Sequence, residues 1–140
     1  MREASSCIFC RIVREEIRAE VVHTSPRAVA FLDVQPLADG HVVVIPRTHV
    51  GRVADLEAKD AAGLFSAVAA LAGPVQRAVG AEGTTIGIND GEVAGQAIPH
   101  VHVHIVPRRR GDGAGSIHAM FPKGPRQPVS EVAKAIRKET

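Results

Sequence analysis

The sequence predicts an α+β fold with a largely antiparallel five-stranded sheet, one long helix and a short C-terminal helix. Three observations support this prediction. Five short segments have the composition of strands, one segment of about 20 residues repeats apolar side chains at helical spacing, and the connections between strands are too short for most parallel crossovers. With 140 residues, of which 45% are hydrophobic, the chain has the size of a single domain spanning residues 1–140.

The predicted strands are short runs that are β-branched or alternate in polarity. The first two flank Ser25-Pro26 and predict a hairpin. The third is strongly β-branched and is closed by Pro46, which is typical of a central strand. The five strands cover residues 21–24, 29–32, 41–45, 84–89 and 102–106, and Pro107 closes the fifth.

The long helix is predicted between Asp60 and Val79, where apolar residues recur every three or four positions and form one face. Pro74 lacks a backbone N–H and should kink or divide this helix. Residues 7–14 are long enough for one or two helical turns, and residues 129–138 have a short amphipathic pattern. Residues 111–128 contain many Gly and Pro, which predicts a loop-rich tail before the last helix.

Composition narrows the classes of function. The formal charge of +2 results from 17 basic and 15 acidic residues, which is too balanced for a broad electrostatic grip on nucleic acid. Aromatic residues make up only 3%, so base stacking has few side chains to rely on. No apolar stretch has the pattern of a signal peptide or the length of a membrane span. We therefore expect a cytoplasmic protein that contacts neither nucleic acid nor membrane, and a small anionic ligand is compatible with this composition.

The most informative pattern is His100-Val101-His102-Val103-His104. On a strand, the three histidines share one face and the valines occupy the other. Packing explains three such imidazoles poorly, because each has two polar nitrogens that need partners. One metal held by all three is also disfavoured, since the outer pair lies about 13 Å apart along a strand. The preceding Gly95-Gln96 can bend around an anion and present backbone N–H groups to phosphate oxygens.

Together these residues resemble the histidine triad (HIT) family of nucleotide hydrolases and transferases, whose signature alternates three histidines with hydrophobic residues. The signature spans residues 100–106 and is accompanied by Asn89, Gly95-Gln96 and the upstream segments 31–33 and 40–49. The resemblance covers roughly Cys7 to Arg110 and is strongest to the zinc-bearing, Hint-like bacterial branch. It implies a nucleotide as the small-molecule partner and a homodimer whose two sheets join.

The resemblance implies that His102 attacks the α-phosphorus of a purine nucleoside phosphoramidate, a dinucleoside polyphosphate or a related ester. A nucleotidyl-histidine forms, and water then releases a nucleoside monophosphate. A neutral imidazole is a suitable nucleophile near pH 7, and a backbone carbonyl would fix its tautomer. By the same resemblance His104 and Gln96 are the other catalytic residues, because they would stabilise charge on the phosphoryl oxygens.

The resemblance also implies a substrate-binding set. Asp33 would accept hydrogen bonds from ribose hydroxyls, although an aspartate that caps the turn before Pro36 is the alternative explanation. Apolar side chains would form the slot for the base, and Asn89 would help to position the phosphate. The complete set is Phe9, Ile12, Phe31, Asp33, Val34, Asn89, Gly95, Gln96, Ala97 and His104.

The Cys7-x-x-Cys10 pair by itself indicates metal binding or redox chemistry in a reducing compartment. A thioredoxin-like motif would follow a strand, and no strand is predicted before Cys7. In zinc-bearing members of the family, and in related galactose-1-phosphate uridylyltransferases, two such cysteines join two histidines, and His49 and His100 match those positions. These four residues would make a closed, structural zinc site. A reduced, metal-free cysteine pair is the alternative.

The sequence departs from the family pattern in two places. Ala97 stands where many members have Ser or Thr, which leaves the leaving group open, and the tail after Arg108-Arg109-Arg110 has no Trp. The arginines either steer polyphosphates or form a solvated edge. A non-catalytic nucleotide-binding protein and a metalloenzyme with an open histidine site therefore remain alternatives. No role is predicted for His23, His41 or His118, and His41 is expected to face away from the site or to cap a turn.

Overall fold

A computed structural model describes residues 4–140. Its sheet has five strands, which are β1 (Val21–Thr24), β2 (Ala28–Leu32), β3 (Val42–Pro46), β4 (Gly83–Gly87) and β5 (Val103–Arg108). They lie in the order β1-β2-β3-β5-β4, and every adjacent pair is antiparallel. The β-branched strand β3 is therefore central. The predicted α+β class with a five-stranded antiparallel sheet is confirmed.

The described residues form three α-helices, α1 (Ile8–Val13), α2 (Ala58–Ala78) and α3 (Val129–Glu139). The prediction that Pro74 divides the long helix is wrong, because α2 continues through it. Proline removes one hydrogen bond there, but Leu71 and Val75 on either side are buried and their packing stabilises the flanking turns. No helix within residues 4–140 has both the length and the apolar character needed to cross a bilayer.

The central strand β3 is buried on both faces, which explains why each of its residues is apolar. Val42 and Val44 belong to the core formed with α2, which also includes Leu64 and Ile105. The intervening residues of β3 belong to a second core on the opposite face, where Phe9 of α1 packs. The sheet is thus sandwiched between the long helix and the short N-terminal helix.

Strand β5 begins at Val103 and ends at Arg108, so the prediction of residues 102–106 closed by Pro107 starts one residue too early and ends two residues too soon. β5 pairs with β3 only over residues 103–105, whereas its pairing with β4 continues to Arg108. At Pro107 one side of β5 therefore has no neighbouring strand. A proline, which has no N–H to donate, is tolerated in that position.

The tail begins in a loop that the three arginines hold against the body. Arg108 donates to Asp112 at 2.7 Å and to the carbonyl oxygens of Ala114 and Gly115 at 2.8 and 2.7 Å. Arg109 donates to the carbonyl of Gly80 at 2.8 Å, and the next arginine pairs with a glutamate before β4. The loop-rich segment 111–128 contains one 3-10 turn, after which α3 extends with its residues exposed or half-buried.

Candidate active site and metal centre

The three histidines lie beside β3, on the face of the sheet that α1 covers. His104 is in β5 opposite Val43, while His100 and His102 lie in the extended segment just before the strand. The intervening valines are buried in the core against α2. The alternation of faces therefore extends two residues further than the hydrogen-bonded strand, and the ring of Phe9 contacts His102 edge-on with centroids 5.1 Å apart.

The tautomer of His102 is set by a backbone carbonyl. Its Nδ1 lies 2.8 Å from the carbonyl oxygen of His100. A carbonyl only accepts hydrogen bonds, so the proton of the neutral ring is on Nδ1 and the lone pair is on Nε2. His102 is 7% exposed and lines the same cavity as His104. The ring is therefore held with a nucleophilic nitrogen available for chemistry.

His104 is oriented by a second histidine. The N–H of Leu37 donates to His41 Nδ1 at 3.1 Å, which leaves the His41 proton on Nε2. That nitrogen lies 2.9 Å from His104 Nδ1 and donates to it. The proton of His104 is consequently on Nε2, where it can donate to an oxygen of a bound ligand.

His41 and His104 are both uncharged near pH 7. Burial lowers the pKa of His104 to about 4, and His102 and His41 lower it further, while Asp33 opposes the shift. Burial likewise lowers the pKa of His41, again opposed by Asp33. The relay from Leu37 through His41 to His104 therefore runs between neutral rings and ends in one directed N–H donor.

A cavity of about 370 Å³ opens in front of the histidines, which is within the usual size range of small-molecule sites. All but one of the residues predicted to bind substrate line it, together with the predicted nucleophile. They are Phe9, Ile12, Phe31, Asp33, Val34, Asn89, Gly95, Ala97, His102 and His104. Further lining residues that the sequence did not suggest are Ile8, Ile17, Arg18, Ala19, Gln35, Val43 and Ile98. The lining thus combines apolar side chains with the imidazoles of His102 and His104.

Asp33 combines the two explanations considered for it. Its Oδ1 accepts the N–H of Gln35 at 2.8 Å, which is the turn-capping contact. Its Oδ2 lies 3.7 Å from His41 Nε2, and the residue lines the cavity. The turn therefore holds the carboxylate at the cavity wall, where one oxygen has capacity for further hydrogen bonds.

Gln96 does not line the cavity. Its amide nitrogen donates to the carbonyl oxygens of Gly51 and Ile98 at 2.8 and 3.1 Å, and its amide oxygen accepts the N–H of Gly91 at 2.8 Å. Both amide hydrogens are thus committed to backbone carbonyls. Direct stabilisation of a phosphoryl oxygen by Gln96, which the resemblance implied, does not fit these contacts.

Cys7, Cys10, His49 and His100 form one cluster whose ligand atoms all lie within 4.8 Å of one another. The Nδ1 atoms of the two histidines are 3.3 Å apart, and Cys10 Sγ lies 3.2 Å from the His49 nitrogen. Cys7 Sγ and Cys10 Sγ lie 3.5 and 3.6 Å from His100 Nδ1. Zinc bonded to two sulfurs and two nitrogens has tetrahedral edges of about 3.3–3.8 Å, so the donor set fits this ion.

The surroundings of the cluster also fit a metal. His100 Nε2 donates to the carbonyl oxygen of Pro46 at 2.9 Å, which turns the Nδ1 lone pair toward the cysteines. Burial lowers the pKa of His100 to about 4 and raises that of the Cys10 thiol to about 11. Without a cation the Cys10 thiol would therefore stay protonated, and a bound cation would favour the thiolates.

Asp33, His41 and His104 form a second group whose candidate ligand atoms lie within 4.8 Å of one another. The bond from Leu37 to His41 Nδ1 leaves the proton on the nitrogen that faces this group. That nitrogen has no lone pair for a metal. The group is a hydrogen-bonded relay, which argues against the alternative of an open metal site among the histidines.

Residues 14–111 match the HIT domain family. The chain belongs to the HIT domain family. The protein named hit from Bacillus subtilis is 38% identical over 122 residues, which are 84% of this chain and 81% of the relative. An adenosine 5'-monophosphoramidase from Schizosaccharomyces pombe is 35% identical over 103 residues, 74% of each chain. A bis(5'-nucleosyl)-tetraphosphatase from the same organism is 38% identical over 96 residues, which are 69% of this chain and 53% of the relative.

Solved structures agree with this assignment. A HIT family member from Bacillus subtilis superposes with a TM-score of 0.84 at 32% identity, and the match covers 96% of this chain and 97% of that structure's chain. A zinc-bound histidine triad protein from Mycobacterium smegmatis has a TM-score of 0.76 at 34% identity, with 81% and 82% covered. The two relatives above that are named as nucleotide hydrolases share 38% and 35% of their aligned residues with this chain.

His41 is the residue of the relay that the sequence analysis missed. The expectation that it caps a turn is consistent with its contact to Leu37, but the expectation that it faces away from the site is wrong, because it contacts His104. The available signal was its position directly before β3. That position indicates a contact with His104 only once the register between β3 and β5 is known. His23 and His118 do not line the cavity.

Proposed function

We propose that this protein is a nucleotide hydrolase or nucleotidyl transferase that acts on the α-phosphate of purine nucleoside phosphoramidates or dinucleoside polyphosphates. One observation carries the proposal. His102 lines the cavity, and its Nδ1 lies 2.8 Å from a carbonyl oxygen, which leaves the Nε2 lone pair without a proton. The named activities of relatives that share the family support the same class of substrate.

In the first step, the Nε2 lone pair of His102 attacks the α-phosphorus and a P–N bond forms. The bond from phosphorus to the leaving amine or phosphate breaks, and its electron pair departs with that group, which takes a proton from water. Charge that develops on the phosphoryl oxygens is stabilised by the Nε2–H of His104, which is already oriented before substrate binds. A covalent intermediate divides one difficult displacement into two easier ones.

In the second step, water attacks the phosphorus of the nucleotidyl-histidine. The P–N bond breaks, its electron pair returns to His102 Nε2, and a proton passes to solvent as the nucleoside monophosphate leaves. Transfer to another acceptor would follow the same course with an alcohol or phosphate in place of water. Ala97 contributes no hydroxyl near the leaving group, so we expect broad tolerance of leaving groups with a low pKa.

Binding of the nucleoside is assigned along the cavity. Phe9, Ile12, Phe31 and Val34 would enclose the base, and the ring of Phe9 is braced by Phe31 at a centroid distance of 5.5 Å. The free carboxylate oxygen of Asp33 would accept the ribose hydroxyls. Asn89 and the backbone around Gly95, whose φ of 97° suits glycine, would hold the phosphate beside the imidazoles.

We further propose that Cys7, Cys10, His49 and His100 hold a structural zinc ion. All four positions are taken by protein ligands, so the ion would stabilise the fold without providing a site for water. It would join the N-terminal region around α1 to the extended segment before β5, which carries the nucleophile. The support is the fit of the donor distances and the zinc bound by a relative of similar fold.

A homodimer is proposed as the assembly. β4 is an edge strand with exposed or half-buried residues, and Ile86 in it is 44% exposed. Edge strands offer unpaired N–H and C=O groups to another chain, which is consistent with two sheets joining through β4. Light scattering on the purified protein measures the mass directly, and a monomer at micromolar concentration would contradict this assembly.

The decisive experiment measures covalent capture and turnover together. Wild-type protein is mixed with adenosine phosphoramidate, quenched within seconds and analysed by intact mass, while released adenosine monophosphate is quantified. We expect an adenylyl adduct on the wild type, whereas His102→Ala should form no adduct and lose at least about 1000-fold in turnover. His23→Ala is the matched control, because His23 is half-buried and lies outside the cavity.

A panel of dinucleoside polyphosphates and sugar nucleotides then ranks the leaving groups. A non-catalytic nucleotide-binding protein on the same fold is the second candidate, favoured by Ala97 in place of a hydroxyl residue. Tight binding of the monophosphate without adduct or turnover on any substrate would establish that candidate and exclude the enzyme.

A further inference from the structure

Two loops that are distant in sequence contact each other, and one carries a residue of the metal centre while the other carries residues of the cavity wall. The metal loop, residues 47–57, follows β3 and carries His49. The nucleotide loop, residues 89–98, precedes β5 and carries Asn89, Gly95 and Ala97 of the cavity wall. Neither loop is a regular strand or α-helix, so hydrogen bonds between them determine how each is placed.

Asp90 makes the first connection between the loops. Its Oδ1 accepts the backbone N–H of Val53 at 2.9 Å and the Nε–H of Arg52 at 3.3 Å. The Arg52 side chain is 58% exposed, so the ion pair adds little by itself. The bond to the Val53 N–H is the stronger constraint, because it holds a backbone position rather than a flexible side chain.

Gln96 makes the second connection. Its amide reaches across to the Gly51 carbonyl at 2.8 Å and also closes the nucleotide loop on itself through Gly91 and Ile98. The backbone N–H of Gln96 adds another bond to the Gly91 carbonyl at 3.1 Å. One side chain thus fixes both the internal shape of the nucleotide loop and its position against the metal loop.

The two loops also pack closely where these bonds are made. A Cβ atom on Gly91, whose φ is +100°, would lie 3.2 Å from the guanidinium carbon of Arg52. On the other side, the N–H of Val101 donates to the Val50 carbonyl at 2.7 Å. The metal loop is therefore held on one side by the nucleotide loop and on the other by the residue between His100 and His102.

We propose that Asp90 and Gln96 are positioning residues that couple the metal centre to the nucleotide cavity. A metal bound by His49 orders the metal loop, and the two bridges transmit that order to the loop that carries Asn89 and Gly95. Metal and nucleotide then strengthen each other's binding by the same factor. This inference rests on the proposed function, because the ligand of the cavity is taken to be a nucleotide.

The test uses zinc and adenosine monophosphate as probes. Calorimetry measures nucleotide affinity for zinc-loaded and zinc-stripped protein, in the wild type and in an Asp90→Ala/Gln96→Glu variant. In the wild type we expect zinc removal to weaken nucleotide binding about 10-fold, a typical coupling. In the variant, the zinc-loaded form should already bind about 10-fold more weakly, and stripping should change its Kd less than about 2-fold.

Asp55→Ala is the matched control. Asp55 is an exposed carboxylate in the same metal loop, and its side chain makes no hydrogen bond or ion pair with the described residues. This control should behave like the wild type in both metal states. Equal coupling factors in the double variant and the wild type would overturn the proposal, since the metal would then act without these bridges.

Amide hydrogen exchange on the zinc-loaded, nucleotide-free protein gives an independent readout if stripped protein unfolds. Residues 89–98 should exchange faster in the double variant, while residues 103–108 in β5 should be unchanged. Wild-type exchange in the nucleotide loop, together with wild-type affinity of the loaded variant, would also overturn the proposal. Failure of the wild type to bind the nucleotide would contradict the proposed function alone, because exchange still tests the bridges.

Discussion

Two substitutions of His41 test separately the two hydrogen bonds that its ring makes. Its Nδ1 accepts from Leu37 at 3.1 Å, and its Nε2 donates to His104 at 2.9 Å. Asparagine is short and places an amide oxygen near Nδ1, so His41→Asn keeps the acceptor and loses the donor. Glutamine reaches as far as Nε2 with an amide nitrogen, so His41→Gln keeps the donor and loses much of the other contact.

The expected magnitudes follow from burial. His41 is 2% exposed, and a buried hydrogen-bonding group left without a partner costs about 1–3 kcal/mol. In His41→Asn this cost falls on His104 Nδ1, which loses its hydrogen-bond donor. The proton of His104 is then no longer confined to Nε2. If the loss is felt in the transition state, kcat falls by about 5- to 150-fold with little change in KM. In His41→Gln we expect kcat within about 3-fold of wild type but a lower free energy of unfolding by about 1 kcal/mol.

The assay is steady-state hydrolysis of adenosine phosphoramidate at pH 7, with urea unfolding of the same preparations. His41→Asn should lose more activity than its loss of stability explains, whereas His41→Gln should lose stability and keep nearly wild-type kcat. If His41→Asn keeps wild-type kcat, or if both variants lose activity in proportion to stability, His41 contributes only packing. The inferred tautomer of His104 would then be refuted.

Three further predictions test the metal centre, the charge states and the turn before β3. Cys7→Ser should lose stoichiometric zinc by metal analysis while His102→Ala retains it, and loss in both would contradict a closed site. Stability should fall as pH drops from about 6.5 to about 4, because His104 has a lower pKa when folded, so the unfolded chain binds more protons in that window. His104→Gln should flatten this dependence in urea titrations, and an unchanged slope would contradict it. Gly40→Ala should cost about 1–3 kcal/mol, since φ is +84° and the new Cβ would lie 2.9 Å from Val79 Cγ1, and a wild-type urea midpoint would show that the turn adapts.

Local sequence pattern was sufficient for the elements and for the main chemical residues. Hydrophobic period distinguishes a strand from a helix because side chains alternate in one and repeat every 3.6 residues in the other. The same alternation assigns the three histidines to one face and the valines to the core, which agrees with the structure even where the hydrogen-bonded strand begins only at Val103. The resemblance then suggested the four residues that the fold gathers into the cysteine–histidine cluster.

Contacts between distant segments required the tertiary structure. Pro74 remains inside α2 because Leu71 and Val75 are buried against the sheet, a contribution that local propensity omits. Gln96 faces the backbone of the metal loop rather than the cavity, since loop conformation is decided by the partners it meets.

The sequence by itself determined the fold class, the shared face of the histidines and the candidates for nucleophile and metal ligands. Only the tertiary structure decided which ring nitrogen of His104 carries the proton. That choice depends on His41 Nε2 lying 2.9 Å from His104 Nδ1, although the two residues are 63 positions apart in the chain. The strand register brings them together, and register is a property of packing between segments rather than of the sequence around either residue.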